Sequence, residues 1–375
     1  MENCRQTSAR LIILVCLCLG CASAARADYF SKESFGRYDA RGKYPLWSKT
    51  WVGLEPRVYV DAGGIPYVEY RTGRIYNPVT IAAFGLLAYN RYLESNATAD
   101  RAEFLRAAEW LQKNEVSDCG CWYYDLDYTY FAMDETLQKH WLSGMAQGMA
   151  MSVMMRAYWM TGDRTYLDGA RKAMSPLMVA VRDGGVLQYF SPTGGTSPDL
   201  KYYEEYPTRP APSFTLNGFM FTLVGLYDVS QAPDEQASAL FKSGMLTLRA
   251  ALPFYDLGDG SAYDLAHLTR PPRAVHRDAG YHLVHITLLN ALGSAVQDPD
   301  LLWYRDNWNS YGTALEREAI WLEHLGIWIA KRHWLSAGVL LLLMLLGAAW
   351  TLRSIWRWLS VRRRPAQEIP GWRTA

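Results

Sequence analysis

The chain has 375 residues, with 38 Lys and Arg against 37 Asp and Glu, a formal net charge of +1. That balance gives no electrostatic ground for a nucleic-acid partner. The length suits one large domain or two moderate ones.

The N-terminus reads as a secretory signal over residues 1–27. Arg5 and Arg10 form a short basic region before an apolar stretch from Leu11 to Leu19, and Ala25-Arg26-Ala27 suits cleavage before Asp28. A lipid on Cys21 and an uncleaved anchor are the alternatives. Residues 28–75 then mix Tyr, Trp and Val with Pro and Gly. Two short runs, Val58-Tyr59-Val60 and Tyr67-Val68-Glu69-Tyr70, flank Gly63-Gly64 and predict a small β-hairpin. A lone hairpin is marginal in water, so this one is expected to pack on the main domain, residues 76–330.

From Pro78 onward the apolar spacing is helical and recurs in pairs. Expected helices run over 79–93 with 101–113, 144–160 with 166–178, 217–229 with 235–252, and 281–296 with 299–311. Each pair has a first helix rich in small residues and an amphipathic second one. Such hairpins cannot bury their apolar faces alone. The expected architecture is therefore mainly α: an incomplete (α/α) toroid of helical hairpins, with an open solenoid as the alternative. The methionines at 145, 149, 151, 154 and 155 read as core. Polar and aromatic residues gather instead in three inter-pair segments, 120–140, 184–217 and 253–282, and long loops in a compact domain are usually functional. Asp125 and Asp127 read as members of a rim loop.

Cys119-Gly120-Cys121 is read as a loop with two thiols or one bridge, and no metal site is expected. Residues 334–352 form an apolar run without charge, about 19 residues and so long enough to span a bilayer core. Arginines 353, 357, 362, 363 and 364 follow it, which places the tail, 353–375, in the cytoplasm and the main domain on the periplasmic or equivalent outer face.

Three tyrosines stand in polar company within the inter-pair segments: Tyr206 in Tyr203-Glu204-Glu205-Tyr206-Pro207, Tyr263 in Tyr263-Asp264-Leu265-Ala266-His267, and Tyr281 in Tyr281-His282-Leu283-Val284-His285. A phenol is a poor base at its usual pKa of about 10, but phenols grouped with charged partners can move protons. His282 and His285, three apart on one helical face, also suit a metal, without a clear third ligand. Gln147 and Asn217 stand at helix starts, where binding a ligand and satisfying backbone groups are both open. Glu204 is read as a solvated neighbour or a loop anchor.

In order and spacing these motifs, with Ser143-Gly144-Met145-Ala146-Gln147-Gly148, Leu216-Asn217-Gly218-Phe219-Met220 and Val224-Gly225-Leu226-Tyr227-Asp228, resemble the C-terminal domain of the D-glucuronyl C5-epimerases. The resemblance runs from about residue 65 to residue 311. It implies a helical toroid plus β-structure that acts on glucuronic acid within a heparan-type polysaccharide, without a cofactor. It implies catalytic roles for Tyr206, Tyr263, Tyr281 and Glu205. His267, His282, His285, Asn217, Gln147, Arg270 and Arg273 are candidates for substrate contacts. Ala266 stands where the family commonly has Arg, so Arg270, Arg273 or Arg277 would have to reach the carboxylate. A polysaccharide lyase, which shares proton abstraction at C5, and a noncatalytic polysaccharide-binding protein are the competing readings. A homodimer is left open.

Overall fold

The computed structural model describes residues 36–46, 57–130, 135–191 and 200–311, all within the first of two units, Met1–Ile320. The predicted signal and the apolar run at 334–352 lie outside the described residues. Among the described residues no helix is long and apolar enough to cross a membrane.

The described chain is mainly helical, and the four helix pairs are present. They are α1 (Pro78–Ser95) with α2 (Thr98–Lys113), α3 (Gly144–Thr161) with α4 (Arg164–Lys172), α5 (Leu216–Ser230) with α6 (Glu235–Tyr255), and α8 (Ala279–Val296) with α9 (Pro299–Tyr311), the short α7 (Ala266–Thr269) falling between the last two. Their starts are written in the sequence. The Asn77 side chain accepts from the backbone N–H groups of Val79 and Thr80 ahead of Pro78. Asp163, Asp234 and Asp278 cap α4, α6 and α8 in the same way. The helix expected over 166–178 stops early: α4 ends at Lys172, and a 3-10 turn covers Ser175–Met178.

The first helices pack on one another in the order α1, α3, α5, α8, and each also packs on its own partner. The inner helices α3 and α5 are buried almost all round, as befits helices with no solvent face. Their backbones meet at two glycines. A Cβ on Gly225 would lie 2.6 Å from the Gly148 Cα, so only a bare Cα fits there.

The predicted hairpin has a third member: β1 (Val58–Val60), β2 (Pro66–Tyr70) and β3 (Gly73–Ile75) form an antiparallel sheet. Two further hairpins lie between helix pairs, β4 (Tyr128–Tyr130) with β5 (Glu135–Leu137) and β6 (Leu187–Tyr189) with β7 (Lys201–Tyr203). Cys119 and Cys121 are disulfide-bonded, the bridged form of the two foreseen.

Residues 36–46 form a strap across the C-terminal halves of the four inner helices. Tyr44 exchanges hydrogen bonds with Asn90 of α1 (2.7 and 3.0 Å). Arg156 of α3 donates to the Tyr38 hydroxyl (3.0 Å), and Tyr38 donates to Asp228 of α5 (2.8 Å). Asn290 and Ser294 of α8 bond the main chain at Gly36 and Tyr38. At the centre Arg156 and Asp228 form an ion pair of 2.7 Å, with both side chains fully buried.

Candidate active site

The opposite ends of the inner helices gather the predicted tyrosines. The loop that leaves β7 carries Glu204, Glu205 and Tyr206 across the first turns of α3 and α5. Gly144 N–H donates to the Glu204 carbonyl (2.8 Å). The Glu205 side chain lies on Gly218: a Cβ there would stand 2.8 Å from the Glu205 Cδ and closer still to its Cβ and Oε2. Tyr263 is held through its backbone, accepting from Leu216 N–H (3.0 Å) and donating to the His276 carbonyl (2.9 Å). Tyr281 sits in the first turn of α8, where its N–H is taken by Asp278 (2.9 Å).

The side chains meet in two aromatic groups. Tyr206 stacks between Tyr130 (4.6 Å between ring centres) and Tyr128 (5.4 Å), with Trp141 tilted at 5.9 Å. Tyr128 and Tyr130 are two apart on β4, so both face the same way. Tyr263 packs on Tyr281 (4.5 Å) and on the ring of His276 (4.7 Å). Tyr206 joins the groups, because its phenol lies in the field of Glu205, Tyr263, Tyr128 and Tyr281. Tyr263 is only 3% exposed, whereas Tyr281 is 38% exposed and opens the cluster to solvent.

Burial dominates the electrostatics. It pushes the Tyr206 and Tyr263 phenols well above their ordinary value, and the Glu205 carboxyl adds to the shift in each. These phenols rest as neutral acids. Burial also raises Glu205, to about 7, against smaller opposing contributions from Tyr206, Asn217 and Gly218. Its Oε2 has no hydrogen-bond partner. Glu205 is thus a carboxyl poised near neutrality beside a phenol, the environment in which a carboxylate takes up and gives back a proton. Glu204 is raised to about 8 by burial, but it accepts from the Ser213 hydroxyl (3.0 Å) and Phe214 N–H (3.2 Å). It is the loop anchor of the two readings, with no solvated face.

The other candidates separate. Asn217 lies beside Glu205, and its Oδ1 is buried without a partner. Gln147 meets backbone groups, one of the two roles open to it. It is fully buried, and its amide donates to the carbonyls of Gly120 (2.9 Å) and Ala173 (2.8 Å), bracing the disulfide loop. His282 and His285 meet at one hydroxyl. Both are buried and share the Ser261 hydroxyl (2.8 Å each), and His282 Nε2 meets the Trp308 carbonyl (3.0 Å). A carbonyl only accepts, so His282 carries its proton on Nε2 and, when neutral, accepts from Ser261 at Nδ1. The hydroxyl then accepts from His285. His267 on α7 is half-buried and lowered by burial. Arg270 stands 4.0 Å from Glu135, Arg277 pairs with Asp259, and Arg273 is half-buried. Among the described residues no cluster of His, Cys, Asp or Glu could hold a metal.

Sequence reasoning passed over Tyr130, Asp264 and His276. Asp264 accepts from the Tyr130 hydroxyl (2.9 Å) and Ala266 N–H (2.9 Å), and its Oδ2 is 3.4 Å from His276 Nδ1. The alternation Tyr128-Thr129-Tyr130 and the Asp next to Tyr263 were the available signals.

Helical hairpins with a cluster of phenols and a carboxyl at the N-terminal ends of the inner helices define the class. Residues 116–310 match the family model for the D-glucuronyl C5-epimerase C-terminus, and the chain belongs to that family. A D-glucuronyl C5-epimerase of Caenorhabditis elegans is 37% identical over 223 residues, 56% of this chain and 34% of that protein. An uncharacterised protein of Methanocaldococcus jannaschii is 28% identical over 144 residues, 38% of this chain and 44% of that one. The chain thus spans less than half the length of either relative. Among solved structures, an unsaturated glucuronyl hydrolase from Bacillus sp. GL1 superposes with a TM-score of 0.43 at 14% identity, covering 64% of this chain and 62% of that one. An α-1,6-mannanase from Salegentibacter sp. gives 0.41 at 15% identity, covering 66% and 67%.

Proposed function

We propose that this domain is a polysaccharide uronate C5-epimerase, built as an incomplete (α/α) toroid with its site at one mouth. The observation that carries the reading is the meeting of Glu205, Tyr206, Tyr263 and Tyr281, drawn from two inter-pair segments, at the inner-helix N-termini. Epimerisation removes the hydrogen alpha to a carboxylate and returns one from the other face, so it needs two separate proton carriers. Tyr206 and Tyr281 are these carriers, with Tyr263 the alternative to Tyr281. The raised phenols of Tyr206 and Tyr263 suit donation. Abstraction by Tyr206 needs an acceptor for its own proton, and the Glu205 carboxylate takes that relay role. The helix N-termini around the cluster add favourable partial charge for an enolate. The run at 334–352 would hold the domain at the outer face of a bilayer, close to an emerging polysaccharide.

The test incubates the full chain with glucuronate polymers in heavy water and reads C5 by NMR. Deuterium at C5 without chain cleavage is expected. A product absorbing in the near ultraviolet would make the protein a lyase, and binding without exchange would make it a noncatalytic component.

A further inference from the structure

We propose that His276, as the doubly protonated imidazolium, binds the substrate's carboxylate, donating from Nε2 while its Nδ1 faces Asp264. This rests on the uronate reading of the site. The cluster is otherwise built of acids: Glu204, Glu205, Asp264 and a group of neutral phenols. A uronate brings one negative charge, and loss of the C5 proton adds a second. Preorganised donors aimed at that carboxylate are the requirement the acids leave unmet.

The basic groups nearby divide by what they face. Arg209 is turned to the Val181 carbonyl. Arg270 stands at Glu135 and Arg277 at Asp259. His282 and His285 share the Ser261 hydroxyl through Nδ1, and both rings are buried. His276 differs in three ways. Its ring packs edge-on to Tyr263 at 4.7 Å. Its main-chain carbonyl accepts from Tyr263 N–H (2.9 Å), so ring and phenol are placed by one backbone contact. Its Nδ1 lies 3.4 Å from Asp264 Oδ2, with the carboxylate 1% exposed and the imidazole side chain 29% exposed. In the imidazolium both ring nitrogens carry a proton, so Nε2 donates while Nδ1 is attracted to Asp264. Asp264 is itself fixed by Ala266 N–H and the Tyr130 hydroxyl, and Tyr130 stacks on Tyr206. One buried carboxylate therefore ties the orientation of His276 to both tyrosine groups, and Asp264 acts as a positioning residue.

The test measures binding of two probes to the full chain: a glucuronate-bearing oligosaccharide and its carboxyl-reduced glucose counterpart. Wild type should prefer the uronate. His276→Phe should weaken uronate binding roughly 10-fold to 100-fold, as expected for a hydrogen bond to a charged group, and leave the reduced probe unchanged. His276→Arg should recover most of the preference. If His276→Phe does not fold, His276→Ala carries the same comparison. A wild type indifferent to the carboxylate, or a variant that weakens both probes equally, overturns the proposal. A wild type that prefers the uronate yet places no deuterium at C5 defeats the epimerase reading and leaves the His276 contact standing.

Discussion

Replacing Glu205 by Gln should stabilise the protein and silence it, and the stabilisation should depend on pH in a defined way. Burial raises the Glu205 carboxyl from 4.5 to about 7. Between those values the folded protein holds a proton that the unfolded chain has released, so stability falls as pH rises. Below about 4.5 both states are protonated and the group contributes nothing. Above about 8 the full cost is in place, about 3 kcal/mol for a shift of this size. Glutamine keeps the shape and cannot ionise. In urea titrations of the full chain, Glu205→Gln should match wild type near pH 4.5 and exceed it by about 3 kcal/mol at pH 8.5. Wild-type exchange of the C5 hydrogen should rise with pH toward about 7, as the carboxylate form fills, and the variant should lose both the rise and the rate. A stability difference that stays constant from pH 4.5 to 8.5 would refute the assignment of Glu205 as the buried, poised acid.

Three further outcomes follow from the geometry. Tyr206→Phe and Tyr281→Phe should each cut C5 deuterium exchange roughly 10²- to 10⁴-fold with circular dichroism unchanged; full exchange in both would sink their role as proton carriers. Gly218→Ala would usually favour a helix by about 1 kcal/mol, yet here the added methyl meets the Glu205 side chain; a displacement of about 1 Å should slow exchange about 100-fold, and a gain in stability with unchanged rate would contradict the packing described. Arg156→Met should destabilise by about 3–5 kcal/mol because it strands a buried Asp228, and Arg156→Met with Asp228→Leu should recover much of that loss in thermal melts.

Much of the fold was legible because its determinants are local. Small residues at helical spacing marked the inner helices, and side-chain caps at Asn77, Asp163, Asp234 and Asp278 set their starts. The meeting of Tyr206 and Glu205 with Tyr263 and Tyr281 was legible only as ordered motifs resembling a family, since nothing local says that residues 206 and 281 approach. Burial was the part not legible. Gln147, His282 and His285 look like ligand contacts in one dimension, and in the fold each is enclosed, with hydrogen bonds to backbone groups or to Ser261. The direction of the phenol shifts was hidden for the same reason: desolvation outweighs neighbouring charge. The β3 strand escaped notice because Gly73-Arg74-Ile75 has only one apolar residue to mark it.

The strap beneath the helices has a consequence for how the molecule is made. Tyr38 reaches partners 190 and 256 residues later in the chain, at Asp228 and Ser294. During synthesis this segment emerges before the helices it must clasp, and it waits unseated until α8 is complete. Contacts of such long range slow folding, and they also make the last step a single fastening of early chain to late. Removing residues 36–46 would spare every motif of the candidate site and still leave Arg156 and Asp228 facing solvent, so the C-terminal ends of the inner helices would loosen before the chemistry was touched.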